Sequence, residues 1–365
     1  MMRREIFCFA VLVAALATSV HGSTIILHGT NGSSISFIGG FGTDAYSRPG
    51  GISGDGTTVV GESSPTQFSG TGTAWKWTSS GGFTAIPALI NATGVSYNGS
   101  VIIGAGSGGV NQGVIVSPSG NTTLGNSQLS AVSPDGSIVL GSYINTDQGF
   151  RWTASGITNI PGILGSDSPS SGMSSDGSAI VGQVELANGH LVAGEWTAAT
   201  GTVALTTGVG GATSGVAEDI SDNKSVIVGT TANPGTDVPA FWSAANGWQP
   251  MTSGGAFGVA DDLTPNGEYA VGNIGFGSGQ AFLWDANDGL RILQTQLTAR
   301  GINLTGYTLT DAYGITDDGG TIVGQALAPG GSTTTYVAVL PEPSGICMLG
   351  FGMIAPLGRR RAGRR

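Results

Sequence analysis

The chain has 365 residues, 65 of them glycine, with 39% hydrophobic and only 10% charged residues, too apolar and too sparsely charged for a disordered protein. Its glycines follow no G-x-y period, which excludes a collagen-like rod. The formal net charge of −10 repels phosphate backbones, so no nucleic-acid partner is expected.

In chain order, Met1-Met2-Arg3-Arg4 is a basic start, Ile6 to Leu16 is an uninterrupted apolar run, and Val20-His21-Gly22 suits a cleavage site. Residues 1–22 therefore read as a secretory signal peptide, with the mature chain starting at Ser23. Both cysteines, Cys8 and Cys347, fall in terminal segments that processing would remove. A disulfide framework, a thiolate metal site and a cysteine nucleophile are excluded together from the body. That body, residues 23–340, holds six basic residues against 21 acidic ones, so it is more acidic than the whole chain.

The body is a repeat. A pattern of a small residue, an apolar residue, Ser or Thr, any residue, Asp or Asn and Gly leads into an apolar pair and a second glycine. It runs as Gly51-Ile52-Ser53-Gly54-Asp55-Gly56 to Gly61 and returns ahead of Gly104, Gly141, Gly182, Gly229, Gly272 and Gly324. Each of these glycines precedes an apolar strand, which in five copies carries Trp77, Trp152, Trp196, Trp242 or Trp284. Val114-Ile115-Val116 and Tyr336-Val337-Ala338-Val339 take that place in the second and seventh copies. A Gly-containing turn and one more short strand complete each unit. Four short antiparallel strands recurring at about 45 residues predict an all-β fold, a seven-bladed β-propeller with four-stranded blades. The tryptophans are expected buried between neighbouring blades. A β-solenoid would use shorter coils of about 20 residues.

The Asp-Gly turns have a mechanical reading. In Ser133-Pro134-Asp135-Gly136 proline starts a type I turn and glycine takes the left-handed conformation that returns the chain. Calcium is the alternative, but one carboxylate per hairpin does not supply the six to eight oxygens that ion needs. No metal and no cofactor are expected.

The pairing of Ile-Ser-x-Asp-Gly-x-x-Val-Val-Gly with an Ala-Phe-x-Trp strand resembles the HAF-type extracellular repeat family, best in Gly51 to Trp77, Ala131 to Trp152 and Gly314 to Tyr336. The resemblance covers about residues 50 to 340 and implies a bacterial surface protein without carrying any catalytic residue. Lys224, in place of the fifth turn glycine, and the missing tryptophan of the second copy depart from the pattern. The seventh copy stops at Leu340 after three strands, and Ser34 to Ile38 precedes the first. That N-terminal segment is expected to close the last blade, leaving no exposed sheet edge.

No catalytic constellation is legible. The body holds only His28 and His190, and no Gly-x-Ser-x-Gly elbow, phosphate loop or HExxH occurs. The pairs Glu218-Asp219, Asp261-Asp262 and Asp317-Asp318 are expected at or beside the hairpins, with adjacent carboxylates on opposite strand faces or in solvent. The chain is therefore expected to be a scaffold or binding module and not an enzyme. The alternative is polysaccharide cleavage by acidic residues of the propeller funnel. Trp248, outside the repeated position, is the candidate ligand platform, against the plainer reading that it packs between blades.

Residues 341–365 carry Pro341-Glu342-Pro343, an apolar stretch from Gly345 to Gly358, and a basic end of Arg359, Arg360, Arg361, Arg364 and Arg365. The apolar part is shorter than the about 17–25 residues of a stable span, and Pro356 would kink it, which suits a transient stop. The tail resembles the PEP-CTERM sorting signal. That resemblance implies an exosortase-type processing enzyme, transient residence in the inner membrane, delivery to the cell surface or beyond, and exopolysaccharide or surface proteins as partners.

Overall fold

A computed structural model describes residues 24–67, 72–108, 111–163, 168–206, 215–233, 236–252, 256–275 and 279–341. The signal segment, Glu342 to Arg365 and the sorting motif apart from Pro341 lie outside them.

The structure is a seven-bladed β-propeller. Blade one runs inner to outer through Tyr46–Ile52, Val59–Ser64, Thr73–Thr78 and Gly82–Ala85, and five further antiparallel sheets repeat that order. Blade seven takes its inner three strands, Thr308–Ile315, Thr321–Leu327 and Thr333–Val339, from the end of the chain. Its fourth strand is Ser34–Gly39, pairing Ile35 with Ala338 and Phe37 with Tyr336, so the N-terminal segment closes the ring as the sequence predicts. Two elements were not legible in the sequence. Ile25–His28 adds a fifth strand outside the closing one, and the helix Leu293–Ala299 fills the longest repeat interval with buried Leu293 and Leu297.

The middle strands are buried on both faces, and strand alternation sends successive side chains to opposite neighbours. Val59 and Trp75 join the core shared with blade seven, whereas Val60 and Ala74 join the core shared with blade two. Each of the seven junctions between blades has its own apolar cluster.

The recurring glycine at the end of the apolar pair proves to be a close-approach position. A Cβ on Gly104 would lie 2.0 Å from the Asn91 carbonyl oxygen, and one on Gly324 would lie 2.0 Å from that of Asp311. The space above the glycine receives an aromatic ring from the third strand, since Gly61, Gly141, Gly272 and Gly324 pair with Trp75, Phe150, Phe282 and Tyr336. All four rings are fully buried. This corrects the reading of the tryptophans. Trp77, Trp152, Trp196 and Trp242 occupy equivalent positions between blades but are only half-buried, and Trp284 alone of the five is buried, at 5% exposure. All five stand one residue before the end of their strand, next to the outer turn.

The Asp-Gly hairpins follow the turn chemistry. The Ser133 hydroxyl donates to Asp135 Oδ1 at 2.7 Å and accepts the Ile138 N–H at 2.9 Å, and Gly136 has φ 74°. The other six hairpins repeat the bond from Ser or Thr to Asp or Asn. Lys224 adopts φ 59° where the rest use glycine.

Candidate functional site

The inner strands line an axial cavity of about 630 Å³. Six of them carry a register shift at one common place, between Pro49 and Gly51, Ala92 and Gly94, Leu129 and Ala131, Ala217 and Asp219, Ala260 and Asp262, and Ala312 and Gly314. A bulge inserts one residue and re-aims its side chain. The inserted residues Gly50, Thr93, Ser130, Glu218, Asp261 and Tyr313 all line the cavity.

The wall they build is lopsided. On blades two and three the hydroxyls are committed to neighbouring blades, with Thr93 donating to the Leu129 carbonyl at 2.9 Å and Ser130 donating to that of Ser170. Blades five and six contribute Glu218, Asp219, Asp261 and Asp262. At the place where the repeat otherwise has a small residue, Asp219 and Asp262 stand side by side. Arg48 is the one basic residue among the described residues lining the cavity, and its guanidinium sits 4.8 Å from the centre of the Tyr313 ring.

The expected placement of the acidic pairs is therefore overturned for two of them. Both members of Glu218-Asp219 and of Asp261-Asp262 line the cavity, because the bulge between them cancels the alternation that would have parted them. Asp317-Asp318 stays at its hairpin, where Asp318 Oδ1 accepts the Thr316 hydroxyl at 2.5 Å.

These carboxyls keep part of their surface on the cavity but are enclosed by protein. Burial pushes Asp219 well above the usual carboxylate range, and the Asp262 charge adds to the shift. Burial raises Asp262 to about 6, against the bonds it accepts from the Ile315 N–H at 2.7 Å and the Leu263 N–H at 3.0 Å. The two carboxyls are within hydrogen-bond reach of each other, so protonation of one is linked to protonation of the other. Burial, then repulsion from Glu218, Asp311 and Asp262, drives Asp261 up, with Arg48 opposing, and its Oδ2 is buried without a hydrogen-bond partner. Among the described residues no three His, Cys, Asp or Glu side chains converge as metal ligands.

At one end of the cavity the hairpin tips form a collar. Asp317 N–H donates to the Gly54 carbonyl at 3.3 Å, Asp55 N–H to that of Tyr97 at 3.1 Å, and Tyr97 N–H to that of Pro134 at 3.0 Å. Further round, Ser175 N–H donates to Asp222 Oδ1 at 2.8 Å, and Asp222 N–H to the Pro265 carbonyl at 2.8 Å. Pro134 and Pro265 lack an N–H and cannot pass the chain of bonds onward.

Trp248 is not a platform. It is 2% exposed, packed in the cluster between blades four and five, and its indole N–H donates to the Leu205 carbonyl at 2.9 Å. The sequence reading missed Arg48 and Tyr313. The one signal for the acidic wall was the replacement of a small residue by Asp at positions 219 and 262.

No protein-family model matches this chain, and no curated protein matches it in sequence. Solved structures are similar to it in fold. An oligogalacturonate lyase in complex with manganese aligns over 88% of this chain and 96% of its own, with TM-score 0.53 and 10% identity. The β-propeller domain of the Trilobed protease from Pyrococcus furiosus gives 0.48 and 11% over 74% of this chain and 94% of that one. TolB from Acinetobacter baumannii gives 0.41 and 14% over 62% of this chain and 59% of that chain. At such identities the likeness is one of fold alone.

Proposed function

We propose that the protein is an exported bacterial cell-surface or extracellular scaffold whose axial cavity binds a hydroxyl-rich ligand in an exopolysaccharide setting. The observation that carries this reading is the cavity itself. A ring of bulges brings Thr93, Ser130, Glu218, Asp261 and Tyr313 to the cavity, and the acidic part of that wall is rich in hydrogen-bond acceptors. Carboxyl groups beside a guanidinium are the groups that grip sugar hydroxyls in pairs. A glycan array probed with the purified protein tests the reading, with Asp261→Asn expected to weaken the signal. An array without a single reproducible glycan would overturn it.

The proposed route to the surface is the tail. The arginines from Arg359 onward resist translocation, the Gly345–Gly358 stretch holds the chain in the bilayer, and Pro341-Glu342-Pro343 awaits the exosortase-type enzyme outside. Intact-mass analysis of surface-released protein is expected to show loss of Arg365, and its retention would make the tail a plain anchor.

Polysaccharide cleavage is a second reading, favoured by the neighbouring carboxyls Asp219 and Asp262 in the cavity wall, both raised by burial. Their contact, however, is closer than the about 5 Å that a pair of glycosidase carboxylates requires, so the reaction would have to use one of them with Glu218 or Asp261. Release of reducing ends that disappears in Asp262→Asn would establish it.

A further inference from the structure

The collar carries one large exposed side chain. Tyr97 is 45% exposed, in a position that the other six blades fill with Gly54, Pro134, Ser175, Asp222, Pro265 and Asp317. Its backbone is clamped on both sides, since its N–H bonds blade three and its carbonyl accepts from blade one. The backbone that carries the ring is thus fixed by the fold, while the ring itself faces water.

Gly54 explains what the ring rests on. A Cβ there would lie 2.5 Å from Tyr97 Cδ2 and 2.5 Å from Asp317 Oδ1. The aromatic edge and the carboxylate therefore converge over a residue without a side chain, and the sum of those two distances bounds their separation. Gly54 has an ordinary backbone φ, so its lack of a side chain is a matter of space. An aromatic face with a carboxylate at its edge has the two elements that seat a sugar ring. The face takes the C–H groups, and the carboxylate accepts two hydroxyls. Burial, then the nearby charges of Asp222, Asp318 and Asp55, push Asp317 up, and so acidic a surrounding disfavours an anionic sugar.

We propose that Tyr97 and Asp317 form a subsite for a neutral hexose unit of a glycan, at the collar and separate from the acidic wall. The proposal rests on the reading of a glycan-binding scaffold, and its test separates the two. The full chain, in a non-glycosidic detergent, is titrated calorimetrically with cellohexaose, laminarihexaose and maltohexaose, with hexagalacturonate as the anionic arm and trilysine as the cationic one. At least one neutral hexasaccharide is expected to bind. Tyr97→Ala should weaken it by about tenfold or more, Tyr97→Phe should leave it within about threefold, and hexagalacturonate should bind about tenfold more weakly. Gly54→Ala, which removes no functional group, should also weaken binding by displacing the ring and the carboxylate, with the melting midpoint as a check on folding. Neutral-sugar binding that survives Tyr97→Ala but is lost in Asp261→Asn would overturn the subsite and leave the cavity reading standing. Binding of trilysine alone would overturn the subsite in favour of a cationic partner, and failure of every neutral probe would overturn both readings.

Discussion

At the scale of single residues, the repeat motif divides its labour differently from its outward look. The tryptophan is the conspicuous residue of Ala-Phe-x-Trp, yet the side chain two places earlier is the one that seals the blade. Phe150 is fully buried above Gly141, whereas Trp152 keeps one side in water. Truncating a buried aromatic costs about 3–5 kcal/mol, so Phe150→Ala is expected to cost that much and Trp152→Ala about half of it. Chemical denaturation of the two variants checks the order, and a larger loss for Trp152→Ala would return the tryptophan to the core. Lys224 offers the opposite test. A left-handed conformation costs a side-chain-bearing residue roughly 1–2 kcal/mol, while added freedom of the unfolded chain with glycine takes back about 0.5–1. Lys224→Gly should therefore raise the melting midpoint slightly, and a fall would mean that the lysine charge beside Asp176 and Glu195 outweighs the backbone relief.

At the scale of elements, the spacing of hairpins and apolar pairs announced every blade, because those features are local. The closing strand was legible for the same reason, as Ser34–Ile38 lacked a partner near it in sequence and the seventh copy lacked a strand. Deleting Thr24 to Ile38 is expected to destabilise the whole ring, since it bares the edge of Thr333–Val339 and uncovers Tyr336. Loss of cooperative unfolding or the appearance of oligomers is the outcome to look for, and an unchanged midpoint in a monomer would separate closure from stability. The bulges were not legible. A bulge leaves no mark on hydrophobic periodicity when both neighbours are small, as in Gly50-Gly51 and Thr93-Gly94. Without it the alternation rule sends Asp261 and Asp262 to opposite faces. The pairing glycine was visible at Gly61, Gly104 and their equivalents, but its role came from the approach of the inner strand, which sequence spacing does not encode.

At the scale of the molecule, two sets of carboxyl groups pull stability in opposite directions with pH. Hydrogen bonds from their own hairpins hold Asp135 and Asp176 below the ordinary range, Asp176 at about 2, and hairpin bonds outweigh burial at Asp55. These groups add stability above the unfolded value of about 4 and lose it as pH falls toward their folded values. The cavity carboxyls behave the other way. Asp219, Asp261 and Asp262 bind protons more tightly folded than unfolded, so each step of pH above about 4 favours the unfolded chain until the folded value is passed, at about 6 for Asp262. The melting midpoint should therefore peak near pH 4–5 and decline toward neutrality. Asp219→Asn removes one charge and leaves an amide that can donate to Asp262, so its profile should be flatter between pH 4.5 and 7 and its midpoint at pH 7 higher than that of the unaltered protein. A wild-type midpoint that holds level across that interval would mean that the folded ring carries these carboxylates ionised without penalty, against the rise that burial imposes on them.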